Sequence, residues 1–415
     1  MAAARRSIAA GAALLALAGC AAPAAEAPEA ADRPWDDVLA EADGQTVDLW
    51  MYGGEEAGNA YVDDVLAPAA AELGVTLRRV PVADTGDALD RVLSERQAGV
   101  TDGEVDLVWV NGENYAAGRQ AGAWLCDWAL DLPNRQYTDP GDPLLTNDFG
   151  VPVEGCESPW HKAQFTLVHD SARVPEPPTT LAGVLDWAQA NPGRFTYPAP
   201  PDFTGSVFVR QVLTSVVGGN GGDGSGDDRV PLEYSQEAYD EYAPQLFDRL
   251  AELAPALWRG GETYPQSQQE LDRLFADGEV DMAMTYGPAT LTDLVTDGTF
   301  PDTTRVLTLE EGTFGNASFL ALPSTSGDSA GAQVVADLAL SPEQQVAKAD
   351  PGTWGQFTVL DLDRLDEADR AAFTQLPASP VVPPYEELSE NAQPELSADW
   401  VAPLDEGWRR SVLAP

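Results

Sequence analysis

Basic residues are scarce in this chain. It holds 23 Lys and Arg against 68 Asp and Glu, a formal charge of −45. Holding a phosphate backbone takes clustered Lys and Arg, so nucleic acid is excluded as a partner. A basic patch for an anionic membrane surface is excluded on the same ground. Cysteine and histidine are scarcer still, with 3 and 2 residues. A Cys/His zinc cage would need nearly all of them, and their spacing is wrong for one. No metal and no cofactor is therefore expected. Beyond the N-terminus no segment approaches the roughly 18 apolar residues of a membrane span. What is present suffices for cores. The chain is 44% hydrophobic and 22% charged, which is not a disordered composition. Its 415 residues suit two lobes of about 150 residues or more.

The first residues have the form of an export signal: Arg5 and Arg6, then an apolar run from Ile8 to Ala18. The run ends in Leu17-Ala18-Gly19-Cys20, which looks like a lipobox, the signal that makes a lipidated Cys20 the mature N-terminus. A signal peptide over 1–19 and a lipidated flexible tether over 20–34, rich in Ala, Pro and Glu, follow from this. Loss of 1–19 removes Arg5 and Arg6 and moves the net charge from −45 to −47. The mature chain is expected outside the cytosol, anchored by palmitate-type lipid at the outer face of the cell membrane. In that compartment disulfides persist. Cys126 and Cys156 enclose about 30 residues, and bridging them would stabilise by roughly 3–4 kcal/mol in the entropy model.

From Gln45 onward strand-like and helix-like stretches alternate. Strands are predicted over 46–51, 75–80 and 105–110, and helices over 59–73, 87–97 and to Gln120. Such spacing means βαβ units and a parallel sheet, with ligand beyond the carboxyl ends of the strands. A second region of the same kind begins after the prolines near 175–178. The segment Gly103–Gly112 echoes Gly278–Gly287, each a helix stop, a buried strand and a polar loop. Residues 218–228 form a Gly/Asp surface loop.

Several segments, taken in order, resemble the YnjB-type family of periplasmic components of an ABC importer. They are 44–47, Tyr52-Gly53-Gly54-Glu55 with Asn59 and Tyr61, 105–114, 197–206, 271–287, 340–343 and 348–355. The resemblance implies a type II periplasmic-binding fold: α/β, two lobes with mostly parallel sheets, a hinge of crossover strands and solute in the cleft. It supplies a role and not a ligand. The lobes are expected at 35–160 with 314–345, and at 161–313 with 346–415. Crossovers are expected at 164–168 and 314–322.

Binding in such a cleft needs converging polar groups and aromatic walls. The first lobe offers Trp50, Tyr52, Gly53, Gly54, Glu55 and Asn59, then Asp84 and Thr85, then Asn111, Glu113 and Asn114. Gly53 and Gly54 either admit a ligand to the backbone or serve a tight turn. Asn111 and Asn114 either touch solute or cap a helix. The second lobe offers Tyr197, Asp202, Thr204, Gly205 and Ser206, where a helix N-terminus can hold an anion or simply be capped. Tyr264, Tyr286 and Asn316 complete the set. Aromatic and acidic loops favour a small, polar or cationic solute, and the helix N-terminus pulls toward one that also carries a negative group, so the solute is expected to be cationic or zwitterionic. Expected partners are that solute, the permease and through it its ATPase; the chain is expected to be a monomer.

A hydrolase is the rival reading. A Ser-His-Asp triad would have to use His161 or His169, and no Gly-x-Ser-x-Gly elbow is present. A glycosidase needs only two carboxylates. The loop 221–228 suggests calcium but lacks EF-hand spacing.

Overall fold

The computed structural model describes residues 34–218 and 230–413. The predicted signal peptide over 1–19, Cys20, most of the predicted tether and residues 219–229 lie outside the described residues. Among the described residues ten strands occur in chain order: β1 Thr46–Tyr52, β2 Thr76–Val82, β3 Leu107–Val110, β4 Asn147–Asp148, β5 Val151–Pro152, β6 Glu157–Asp170, β7 Met282–Tyr286, β8 Thr304–Leu307, β9 Phe314–Ala321 and β10 Gln393–Pro394.

In the first lobe β2, β1 and β3 lie side by side and parallel, with Thr46 opposite Thr76 and Leu49 opposite Leu107. Along β1, Val47, Leu49 and Met51 are buried while the residues between them are half-buried. That is the period-2 pattern of a strand with a packed face. The helix Thr85–Ala98 makes the crossing from β2 to β3. It begins before the predicted Asp87 because the Asp84 carboxylate accepts from the Gly86 amide at 2.6 Å. It stops at Gly99, whose φ of +71° suits glycine.

Two long strands join the halves of the molecule. β6 runs 14 residues. Its first half pairs antiparallel with β9, and its second half pairs antiparallel with β7 and β8. The predicted crossover at 164–168 is the middle of this strand. β9 also pairs with β3, and β10 joins β9 at Phe314 and Gly315. The echoing segments become β3 in one half and β7 in the other.

One core gathers residues between 38 and 160 with 317–365, and another gathers residues between 165 and 314 with 381–412. The expectation that 346–415 belongs wholly with the second lobe needs correcting. Trp354, Val359, Leu360 and Leu365 pack in the first core. The helix Pro342–Ala349 follows Ser329–Leu340 directly, and the Lys162 amide then donates to the Phe357 carbonyl, so the chain stays on the first side. Only later do Trp400, Leu404 and Trp408 enter the second core. Cys126 and Cys156 form a disulfide beside Trp124 in a smaller third core.

Candidate functional site

Successive strand residues project to opposite faces, and directly paired residues project to the same face. The register sets Ala163 opposite Asn316 and His161 opposite Ser318. Tyr286 is opposite Phe165. Gln393 lies beside Phe314, which brings Glu395 to the level of Asn316. One face of the long strands thus collects His161, Asn316, Tyr286 and Glu395. Arg210, from the helix Phe203–Val217, reaches the same place and donates from Nε to Glu395 Oε2 at 3.3 Å.

These groups are buried: Arg210 is 2% exposed, Asn316 5% and Glu395 6%. Yet Asn316 Nδ2 and Oδ1, Arg210 Nη2 and His161 Nδ1 have no hydrogen-bond partner in the protein, and the Tyr286 hydroxyl stands against the Glu395 carboxylate without a well-aligned hydrogen bond. Buried polar groups are ordinarily paired, so this concentration of exceptions makes the place a candidate binding site. Burial pushes the Tyr286 hydroxyl well above its usual range, and the neighbouring Glu395 charge adds to that. Burial also raises Glu395, against the pull of Arg210. Three aromatic rings stand around the group. Phe203 meets Tyr286 edge-on at 5.2 Å and Phe149 at 6.3 Å, and the Arg210 guanidinium lies 5.6 Å from the Phe149 ring.

Of the first-lobe candidates, Glu113 acts electrostatically on Glu395. The Tyr52 hydroxyl contacts Gln269 of the opposite half, and the carboxylates of Asp202, Glu55 and Asp272 act on it electrostatically. Glu55 accepts from the Trp354 indole at 2.8 Å and from Gln356 Nε2 at 3.3 Å. Burial raises it to about 7. Asn59 donates to the Gly53 carbonyl at 2.9 Å, which fixes the Gly53-Gly54 turn, and its Oδ1 has no partner. The Asn111 side chain does not cap the helix Gly112–Ala121 that follows it, and Glu113 is exposed beside it. Asn114 lies against Gly86. Asp84 is an N-cap, and Thr85 donates to the Trp109 carbonyl at 3.3 Å. Trp50 needs correcting: its indole donates to the Glu104 carbonyl at 3.2 Å and its ring packs on the third core. Trp109 packs edge-on against Trp160, His161 and Trp354.

The second-lobe loop departs further from expectation. Tyr197 is wholly buried in the second core, where its hydroxyl accepts from the Trp408 indole at 3.0 Å. Asp202 accepts from the Gly205 amide at 3.0 Å and from the Gln268 amide at 3.1 Å. The capping reading of this helix start therefore holds, and no open anion cradle remains at Gly205. A Cβ at Gly205 would collide with the Pro198 carbonyl. Thr204 is buried, and Ser206 donates to the Asp405 carboxylate at 2.8 Å. Tyr264 is buried and packs edge-on on Trp408 at 5.1 Å. Arg210 and Glu395 were missed by sequence reasoning. The only trace of Arg210 is that it is the one charged residue in its largely apolar helix, and Glu395 has no local signal.

A cavity of about 750 Å³ is lined among others by Asp142, Lys162, Gln356, Phe357, Val382 and Tyr385, so it reaches Gln356, whose side chain meets Glu55. Lys162 precedes Ala163 and so projects to the other face of β6 from Asn316; it is paired with Asp142 at 2.8 Å. Among the described residues no three His, Cys, Asp or Glu side chains are grouped to hold a metal, and no helix is long and apolar enough to cross a membrane. Both histidines are on β6. His169 Nδ1 meets the Val174 carbonyl at 3.0 Å, and His161 is enclosed by tryptophans.

A two-lobed α/β molecule with polar groups gathered where long strands join the lobes defines a binding protein of the type II periplasmic class. Residues 64–365 match the family described as bacterial extracellular solute-binding protein, and the chain belongs to that family. It is 36% identical over 377 residues to Protein YnjB of Escherichia coli (strain K12), across 90% of this chain and 92% of that one. Its fold is similar to a putative spermidine/putrescine ABC transporter from Listeria monocytogenes (TM-score 0.59, 14% identity, 88% of this chain and 97% of that one). It is also similar to iron-bound HitA from Pseudomonas aeruginosa (TM-score 0.55, 15% identity, 87% and 96%). Those two likenesses show the fold. The hydrolase reading finds no support in family or fold.

Proposed function

We propose that this extracellular solute-binding protein captures a small polar solute between its lobes and delivers it to the permease of an ABC importer. The observation that carries this reading is the set of buried polar atoms on Asn316 and Arg210 that have no partner, with the Glu395 carboxylate and the Tyr286 hydroxyl beside them. Leaving such a group unpaired costs roughly 1–3 kcal/mol, which a solute supplying partners would offset. The lobes, 35–160 with 314–365 and 161–313 with 381–413, would open and close about β6 and β9, and solute would stabilise the closed form. Tyr52, Glu55, Asn111 and Glu113 would meet the solute from the first lobe. A lipid on Cys20 would keep the protein near its permease and raise the effective concentration there.

A thermal-shift screen against amines, amino acids, vitamins, sugars and metal ions tests capture. At least one compound should give a saturable rise in melting temperature, and small-angle scattering should show the particle shrinking with it. No rise with any class would contradict the reading. For the anchor, labelled palmitate should enter the protein in cells, and Cys20→Ala should release it from the membrane fraction.

A further inference from the structure

We propose that the Arg210–Glu395 pair, with Asn316 beside it, selects a small zwitterion, a solute whose cationic and anionic groups lie close together. This rests on capture in the cleft and adds the class of solute. Arg210 and Glu395 are each more than nine-tenths buried, yet they meet through the single contact from Nε to Oε2 at 3.3 Å. Arg210 Nη2 is without a partner, and Glu395 Oε1 makes no well-aligned hydrogen bond although the Tyr286 hydroxyl stands beside the carboxylate. A buried ion pair joined this sparingly is poorly compensated for its lost water. An anionic group at Nη2 and an ammonium at Oε1 complete it with charge-assisted hydrogen bonds. Asn316, at the same level, offers an NH2 group with two donors and a carbonyl acceptor and can serve either pole.

Simpler solutes fit less well. A plain cation leaves Nη2 unpartnered and lies against a guanidinium. A plain anion lies against the Glu395 carboxylate. A neutral polyol gains no charge-assisted bonds. The rings of Phe149, Phe203 and Tyr286 stand around the pair and exclude water, which strengthens both poles of the interaction. Asp405 and Glu113 also act on this region, with Ser206 holding Asp405. The surplus is acidic, so the zwitterion should carry a net charge of zero or above.

Calorimetric titration of the whole chain with the common amino acids and ω-amino acids tests this. Each binder is retested as its carboxamide, which lacks the anion, and as its N-acetyl form, which lacks the cation. Each change should weaken binding by about 10- to 100-fold. The double variant Arg210→Met with Glu395→Met keeps volume without charge; it should keep a cooperative melt and lose zwitterion binding by at least that factor. Should it fail to fold, Glu395→Gln keeps the side-chain shape. In that variant the N-acetyl form should close most of its gap to the parent compound. A carboxamide that binds undiminished, or full zwitterion binding in either variant, overturns the proposal. Binding only of plain cations or neutral compounds overturns it too while leaving capture in place, whereas a wider screen with no binder overturns both.

Discussion

The loop Tyr52–Asn59 of the first lobe and the loop Tyr197–Ser206 of the second both combine tyrosine, glycine and an acid, and both lead into a helix. Their polar groups go to different places. In the first, Tyr52 reaches the opposite half and Glu55 faces Trp354 and Gln356 near the joining strands. In the second, Tyr197 is in the core with Trp408, Asp202 holds two amides, and Ser206 holds Asp405. The second loop is an anchor for the C-terminal segment. The second lobe's candidate groups come from elsewhere: about two turns into the helix at Arg210, at the end of β7, and at Glu395. A loop that looks ready for a ligand can therefore be fully occupied by its own chain.

The comparison breaks first at Tyr197. Tyr197→Ala would leave a large cavity and an unpartnered Trp408 indole, and should cost about 3–5 kcal/mol of unfolding free energy in urea. A variant that instead kept full stability but lost solute would make the two loops equivalent after all. Ser206→Ala removes the donor to a buried carboxylate and should cost about 1–3 kcal/mol without altering affinity directly. Asp84→Ala, which only uncaps a helix, should cost about 1 kcal/mol. Asn111→Ala should change unliganded stability by less than about 0.5 kcal/mol, because its side chain makes no cap, yet should weaken solute binding.

Acid groups sharpen the comparison in another way. Burial raises Asp405 to about 6, Glu55 and Asp272 each to about 7, and Asp148 to about 8. A carboxyl with a raised folded pKa binds more protons folded than unfolded. Its stabilising effect is complete below the ordinary carboxylate range and is lost as pH climbs through the raised value. The unliganded protein should therefore unfold more readily as pH rises from about 4 to about 8. Glu55→Gln should flatten the part of that slope between 4.5 and about 7, read from urea midpoints at each pH.

The parallel strands β1 to β3, their helices and the disulfide were legible because each rests on local signals: alternation, caps, and two cysteines in an exported chain. Asn316 and Tyr286 were legible as polar residues in or closing predicted strands. Arg210 and Glu395 were not, because they are 185 residues apart and acquire meaning only through the pairing of β10 with β9. Tyr197 misled because its partner, Trp408, is 211 residues away. Trp354 misled for a related reason: nothing local shows on which lobe a strap between lobes will pack.

The central claim is that the floor of the cleft, and Asn316 above all, exists to hold solute. Its side chain makes no bond to the rest of the protein, so Asn316→Ala isolates that role. The unliganded melting temperature of this variant should stay within about 2 °C of the parent, while the solute-induced rise disappears. A rise retained in full would contradict the account.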